Sequence, residues 1–216
     1  GLVMNWVQHF WPELVTLGFL ISMATPIVKC FKGKKTEVFY TETEYDRWKV
    51  KNNNGKGWRI KYYKGLGTSG AKEAKVYFED IETKLIKYID DENTQTAINL
   101  AFGPSKEFSD RRKQWLYNYD RENIIEQSQK IVTINEFINR DLIHFSNADN
   151  MRSIPHVLDG LKPSQRKVLY CALKKLKNKQ LKVAQFAGAV SADAAYHHGE
   201  ASLMGVIVNL AQDFVG

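Results

Sequence analysis

Residues 159–211 read DGLKPSQRKVLYCALKKLKNKQLKVAQFAGAVSADAAYHHGEASLMGVIVNLA, and this stretch decides how the chain is understood. No carboxylate lies between Asp159 and Asp193, whereas Lys162, Arg166, Lys167, Lys174, Lys175, Lys177, Lys179 and Lys182 all fall in that interval. A field of one sign repels itself unless a polyanion accompanies it, so DNA or RNA is the implied partner. Gly160 and Pro163 mark the start of a first helix, with Val168, Leu169, Ala172, Leu173 and Leu176 as its apolar stripe. Lys162, Arg166 and Lys167 stand at the N-terminal end of this helix, where unpaired amides and the positive end of the dipole suit phosphate. A short second helix is predicted over residues 183–187, stopping at Gly188. A third is predicted over 197–214, burying Leu203, Val206, Ile207, Leu210 and Phe214. The last two read as a helix-turn-helix, whose second element enters the major groove by its first residues, here Tyr196, His197, His198 and Glu200.

Working outward, the remainder alternates strand and helix patterns. Residues 1–10 have the spacing of a helix that packs Val3, Trp6, Val7 and Phe10. Asn5, Gln8, His9, Pro12 and Glu13 interrupt the apolar run well short of the roughly 20 residues that a membrane span needs. FLISMATPIVKCF (19–31) is β-rich, KKTEVFY (34–40) is a next strand, and residues 43–49 suit a short helix. KNNNGKG (51–57) is a polar turn and is expected to be the least ordered stretch. The strand over residues 58–64 places Trp58, Ile60 and Tyr62 on one face and Arg59, Lys61 and Tyr63 on the other. It leads into KGLGTSG (64–70), which fits both a tight structural turn and a nest of amides aimed at phosphate. A helix over residues 72–88 would bury Val76, Tyr77, Ile81, Leu85 and Tyr88, and two more come after it over 94–101 and 106–116, divided by Gly103-Pro104. Arg111, Arg112 and Lys113 read as a solvated helix face. Tyr117 and Tyr119 have no activating base nearby in sequence and are not assigned as nucleophiles. Residues 121–130 are polar and read as a linker, with 131–145 as an arm belonging to the second domain.

The 216 residues, 44% of them apolar, suffice for one large or two small cores. Lys and Arg exceed Asp and Glu by 31 to 24, a net +7 whose clustering matters more than its size. Cys30 and Cys171 are too far apart in sequence for a disulfide framework or a thiolate zinc site, which favours a reducing intracellular compartment. His197 and His198 are adjacent, so on a helix they point about 100° apart and cannot make the i, i+4 pair of a helical zinc site. One capping and one exposed imidazole is the plain alternative. Arg152 is by itself an ordinary surface arginine.

LKPSQRKVL (161–169), KVAQFAGAVS (182–191) and AYHHGEASLMGVIVNLAQDFVG (195–216), in this order, resemble the winged-helix DNA gate of type IIA DNA topoisomerases of the eukaryotic or large-DNA-virus kind. The resemblance extends through NRDLIHFSNADNMRSIP (139–155) and through RIKYYKGLGTSGAKEAKVYF (59–78), which resembles the last strand-turn-helix of a TOPRIM metal-binding domain. It implies an α/β plus mainly α fold: the C-terminal part of a TOPRIM-like domain at residues 1–120, a linker and arm at 121–150, and the start of a winged-helix domain at 151–216. It also implies an ATP-dependent isomerase that passes one duplex through a transient double-strand break in another. Its partners would be double-stranded DNA and a second copy of the enzyme, as a homodimer, with no membrane; it would work in the nucleus, or in host cytoplasm or virion if viral.

The residues that the resemblance places on DNA are Lys64, Gly65, Leu66, Gly67, Thr68 and Ser69, then Arg152, Lys162, Arg166, Lys167, His197 and His198. The family's Mg2+-binding carboxylates would precede residue 1, its catalytic tyrosine would come after Gly216, and its ATP site lies in neither segment. The chain alone is therefore expected to bind DNA without cleaving it. A non-catalytic helix-turn-helix DNA-binding module is the alternative reading, and an assembly segment with an incidental basic surface is a third.

Overall fold

The computed structural model describes residues 1–63, 69–79, 81–126, 128–177, 179–194, 196 and 199–213. The chain forms two compact units, Gly1–Phe145 and Ser146–Gly216.

The first unit holds two small sheets. Helices α1 (Leu2–Phe10) and α2 (Pro12–Thr16) precede β1 (Ile21–Met23), and β1 pairs antiparallel with β5 (Leu85–Ile89). β5 in turn pairs parallel with β6 (Ile131–Thr133), Tyr88 opposite Val132. A parallel neighbour requires a long crossover, and α5 (Thr94–Phe102) and α6 (Lys106–Tyr117) supply it. Val15, Leu20, Tyr88, Ala97, Ile98 and Val132 are buried together with Ile134 and Phe137 of α7 (Ile134–Phe137) and with Ile138 in the single π-helical turn after it. Arg112 donates to the Leu100 and Gly103 carbonyls at 3.1 and 3.0 Å, so it closes the C-terminal end of α5 rather than facing solvent alone.

The second sheet is β3-β2-β4, made of β2 (Val28–Lys32), β3 (Lys35–Phe39) and β4 (Arg59–Tyr62), antiparallel throughout. Its inner face carries Val28, Cys30 and Phe39, covered by Tyr45 and Trp48 of α3 (Glu42–Lys51). A Thr41–Glu44 capping box starts α3, each side chain bonding the other's backbone N–H. Trp48 stands edge-on to Trp58 at 5.0 Å between ring centroids.

Several expectations fail here for physical reasons. Residues 72–88 are not one helix: α4 (Ala71–Glu79) ends, a 3-10 turn covers Ile81–Lys84, and LIKYI forms β5. Ile81, Leu85 and Tyr88 have helical spacing, but Ile86 and Tyr88 also alternate, and pairing on both edges of β5 favours the strand. In α1 the buried residues are Met4 and Val7, while Val3, Trp6 and Phe10 are exposed. Residues 51–57 form a built turn with Asn53 and Asn54 in left-handed backbone and Gly55 buried against Ile60 and Trp48. The stretch 121–145 is no free linker and arm. Arg121 and Glu122 pair with Asp46 and Arg47, and Val132, Ile134 and Ile138 are fully buried in the first unit.

The second unit contains the end of α8 (Ile143–Ser153), then α9 (Pro163–Lys175), α10 (Val183–Asp193) and α11 (Glu200–Ala211). Its core is Val168 and Cys171 of α9, Phe186, Ala187 and Val190 of α10, Tyr196, and Leu203 and Ile207 of α11. α10 runs through Gly188 instead of stopping there, because Val190 continues the buried face one turn further. The α9 stripe is rotated from the expected one: Val168, Cys171, Ala172 and Leu176 face inward, and Leu169 and Leu173 are exposed.

Candidate nucleic-acid interface

In the first unit the candidate site is the chain on either side of KGLGT. Residues 64–68 lie outside the described residues, and the expectations for Lys64, Gly65, Leu66, Gly67 and Thr68 lie with them. The residues around them are defined. The antiparallel register sets Lys29 of β2 directly opposite Lys61 of β4. Two like charges so placed repel. Glu73, in the first turn of α4, resolves this: its Oε1 accepts from Lys29 Nζ at 3.5 Å and its Oε2 from Lys61 Nζ at 2.8 Å. The same carboxylate accepts from the Tyr63 hydroxyl and, at 3.0 Å, from the Gly70 amide. Lys29 also lies over the rings of Tyr63 and Tyr77, 5.1 and 4.9 Å from their centroids, and Ser69 Oγ donates to the Tyr77 hydroxyl at 3.4 Å.

The Lys61 ammonium, the Tyr63 hydroxyl and the Gly70 amide together hold the Glu73 carboxyl down at about 2. Burial depresses the Lys29 ammonium, but the Tyr77 hydroxyl, Tyr63 and Glu73 more than offset this, and the group ends above its ordinary value. Sequence reasoning places Lys61 and Tyr63 on a common face but misses Lys29 and Glu73. The available signal is Glu73 three residues after Gly70, the spacing by which an N3 carboxylate reaches back to the residue before a helix.

In the second unit, Gly160 takes a φ of +68° and turns the chain so that Leu161 N–H bonds Asp159 Oδ1 at 3.0 Å. Arg166 then grips Asp159 with two bonds of 2.8 Å each, and its Nη2 also reaches the Leu161 carbonyl at 3.2 Å. That guanidinium holds the Asp159 carboxyl at about 2. Arg166, expected on phosphate, is thus engaged by the nearest carboxylate. Lys162 is exposed just before α9, and its N–H is bonded by Gln165 Oε1 at 2.8 Å. Lys167 lies one residue after Arg166 on α9, partly exposed. Arg152 pairs with Asp149 on its own helix, and Lys175 with Asp193 at 2.8 Å.

The helix pair α10 and α11 is the expected helix-turn-helix, with Gly199 before α11 and Glu200 as its first residue. Tyr196, expected toward the groove, is buried in the core at 8% exposure. His197 and His198 lie outside the described residues. Ser69, Arg152, Lys162, Arg166 and Lys167 are the sequence-predicted residues with a described place, and the structure brings Lys162, Arg166 and Lys167 to one helix start.

Among the described residues no three His, Cys, Asp or Glu side chains converge as a metal site would require. The described residues do not fit the Mg2+ that the resemblance implies for the family. Among them, too, no helix is long and apolar enough to cross a membrane.

The family of the C-terminal associated domain of TOPRIM matches residues 23–150, and the A-subunit family of DNA gyrase/topoisomerase IV matches residues 152–216. The chain is 51% identical to DNA topoisomerase 2-beta of Gallus gallus and 47% identical to DNA topoisomerase 2 top-2 of Caenorhabditis elegans, with all of this chain covered. It spans only 14 and 15% of those two proteins. The crystal structure of the Plasmodium falciparum topoisomerase II DNA-binding, cleavage and re-ligation domain superposes with a TM-score of 0.78 at 44% identity, covering all of this chain and 29% of that one. Two family matches in succession and relatives along its whole length establish that the chain belongs to the type II DNA topoisomerase family.

Proposed function

We propose that the chain is part of the DNA binding and cleavage core of an ATP-dependent type II DNA topoisomerase, which passes one duplex through a transient double-strand break. The observation that carries this reading is a TOPRIM-associated unit followed directly by a carboxylate-poor basic helix-turn-helix, the whole of it matched by the Plasmodium topoisomerase II DNA-binding, cleavage and re-ligation domain. In the proposed division of labour, Lys64 to Ser69 lie beside the cleaved strand, Lys162, Lys167 and Arg152 hold backbone phosphates, and Arg166 beside them is restrained by Asp159. His197 and His198 face the scissile region, where an imidazole would hold a phosphate or sugar oxygen. Phosphate contacts of this kind position duplex DNA with little sequence choice, and their strength falls steeply with salt. Mg2+ and ATP would be bound by other parts of the parent enzyme, which would act as a homodimer on chromosomal or viral DNA.

The test is plasmid relaxation by the full-length parent with ATP and Mg2+, wild type against His198→Ala. Relaxation by the wild type, reduced about 10- to 100-fold by the substitution while duplex binding persists, is the expected outcome. A wild type that binds DNA without ever changing its linking number would leave the non-catalytic helix-turn-helix module as the reading.

A further inference from the structure

Residues 63 and 70 flank the segment KGLGT, and both end on one side chain. Tyr63 donates its hydroxyl to Glu73 Oε1 and Gly70 donates its amide to Oε2 at 3.0 Å. Tyr63 is also held at its backbone, its N–H bonding the Ile27 carbonyl at 2.8 Å, and among the described residues apolar packing adds little here. Tyr77 is the only residue of α4 that is buried, and neither Tyr77 nor Tyr63 belongs to an apolar core cluster. The fastening between the start of α4 and the β3-β2-β4 sheet is therefore polar: the Glu73 carboxylate bridging Lys29 and Lys61, with Lys29 seated between two tyrosine rings.

We propose that Glu73 is a positioning residue for DNA cleavage, tying the Gly70 amide to the Tyr63 hydroxyl and so fixing the two ends of the segment between them relative to each other. The proposal rests on the topoisomerase reading above. Glu73 itself touches no DNA in this scheme. It acts on the ends of the segment between residues 63 and 70, and a shift of about 1 Å in a group that orients reacting atoms costs on the order of 100-fold in rate. Duplex affinity is spread over many phosphates and would change little. A change in turnover with nearly constant affinity thus separates positioning from a loss of fold, which would lower both together.

The experiment compares full-length wild type, Glu73→Ala and Glu73→Gln for plasmid relaxation, for the fraction of DNA held in the covalent complex, and for duplex Kd. Alongside it, hydrogen exchange of the Gly70 amide is followed in the 216-residue chain. For Glu73→Ala the expected result is a fall in kcat of about 10- to 100-fold with Kd within about threefold, and faster Gly70 exchange. Glu73→Gln should lie between, because its amide oxygen still accepts from Gly70 while the charge facing Lys29 and Lys61 is gone. Wild-type turnover per folded enzyme in Glu73→Ala overturns the proposal. Should Glu73→Ala fail to fold, Tyr63→Phe decides: it removes one anchor and leaves both lysine pairs. A fall of a fewfold in cleavage at unchanged Kd supports the proposal, and wild-type cleavage sinks it. If the wild-type enzyme itself never relaxes plasmid, the topoisomerase reading fails, and unchanged Gly70 exchange in Glu73→Ala would separately remove the anchoring role.

Discussion

Glu73 and Asp159 each hold a cation at the approach to a helix, and they do so in contrasting ways. Glu73 gathers groups from separate elements, Lys29 from β2, Lys61 from β4, Tyr63 just after β4, and its neighbour Gly70, and its side chain is 24% exposed. Asp159 takes only local partners, the Leu161 N–H and Arg166, the latter in a bidentate grip at 37% exposure. The first carboxylate allows two lysines to face each other and welds helix to sheet. The second shapes a turn and occupies the Arg166 guanidinium. A carboxylate within a basic surface can therefore either assemble the surface or restrain it.

The sharpest way to break this comparison is to unfold one unit and watch the other. All five tryptophans lie in the first unit, so their fluorescence reports on it alone, while far-ultraviolet circular dichroism also tracks α9 to α11. Leu203, fully buried in the second core, should cost about 2–5 kcal/mol when changed to Ala. The helix signal is expected to lose stability with the tryptophan transition unmoved; a matching shift in both signals would mean that the units unfold together.

A smaller effect comes from acid. The Glu73 carboxyl is held at about 2 against an ordinary 4.5, so its contribution to stability is complete above about pH 4.5 and is lost as the pH falls toward 2. The tryptophan-monitored stability of the wild type should decline through that window, and Glu73→Gln should flatten the decline. An identical slope in the variant would assign the acid sensitivity to other carboxylates. The smallest effect concerns Asp159. Asp159→Asn frees Arg166 and removes a negative charge beside Lys162, so duplex affinity should rise by a fewfold and the slope of log K against log salt should steepen by up to about 0.9. An unchanged slope would show that Arg166 does not reach phosphate even when released.

The helix-turn-helix is legible in the sequence because α9, α10 and α11 each bury one face at helical spacing, and that spacing alone names Leu203 and Ile207 correctly. β5 is not legible, since Ile81, Leu85 and Tyr88 satisfy the helical period while Ile86 and Tyr88 satisfy the strand period, and only partners distant in sequence decide between them. Residues 121–145 mislead for a related reason: their polar beginning conceals Val132, Ile134 and Ile138, which matter only once β5 is present to pair with. Of the candidate site, the single-residue chemistry can be read, as in the lysines around Pro163 and the turn at Gly160. The Glu73 cluster cannot, because Lys29 reaches it across 44 positions and no local period records that contact.

The parallel pairing of β5 with β6 also has a consequence in time. β6 joins an edge whose partner was made some forty residues earlier, after α5 and α6 have turned the chain back, so closure of the first core waits for a long loop to be drawn in. Until then β5 has one bare edge, and Tyr88 and Ile98 lack the cover that Val132, Ile134 and Ile138 later give. On the ribosome, this unit stays open to pairing with other chains until residues near 145 have emerged, and the vulnerable moment of its synthesis falls on that strand.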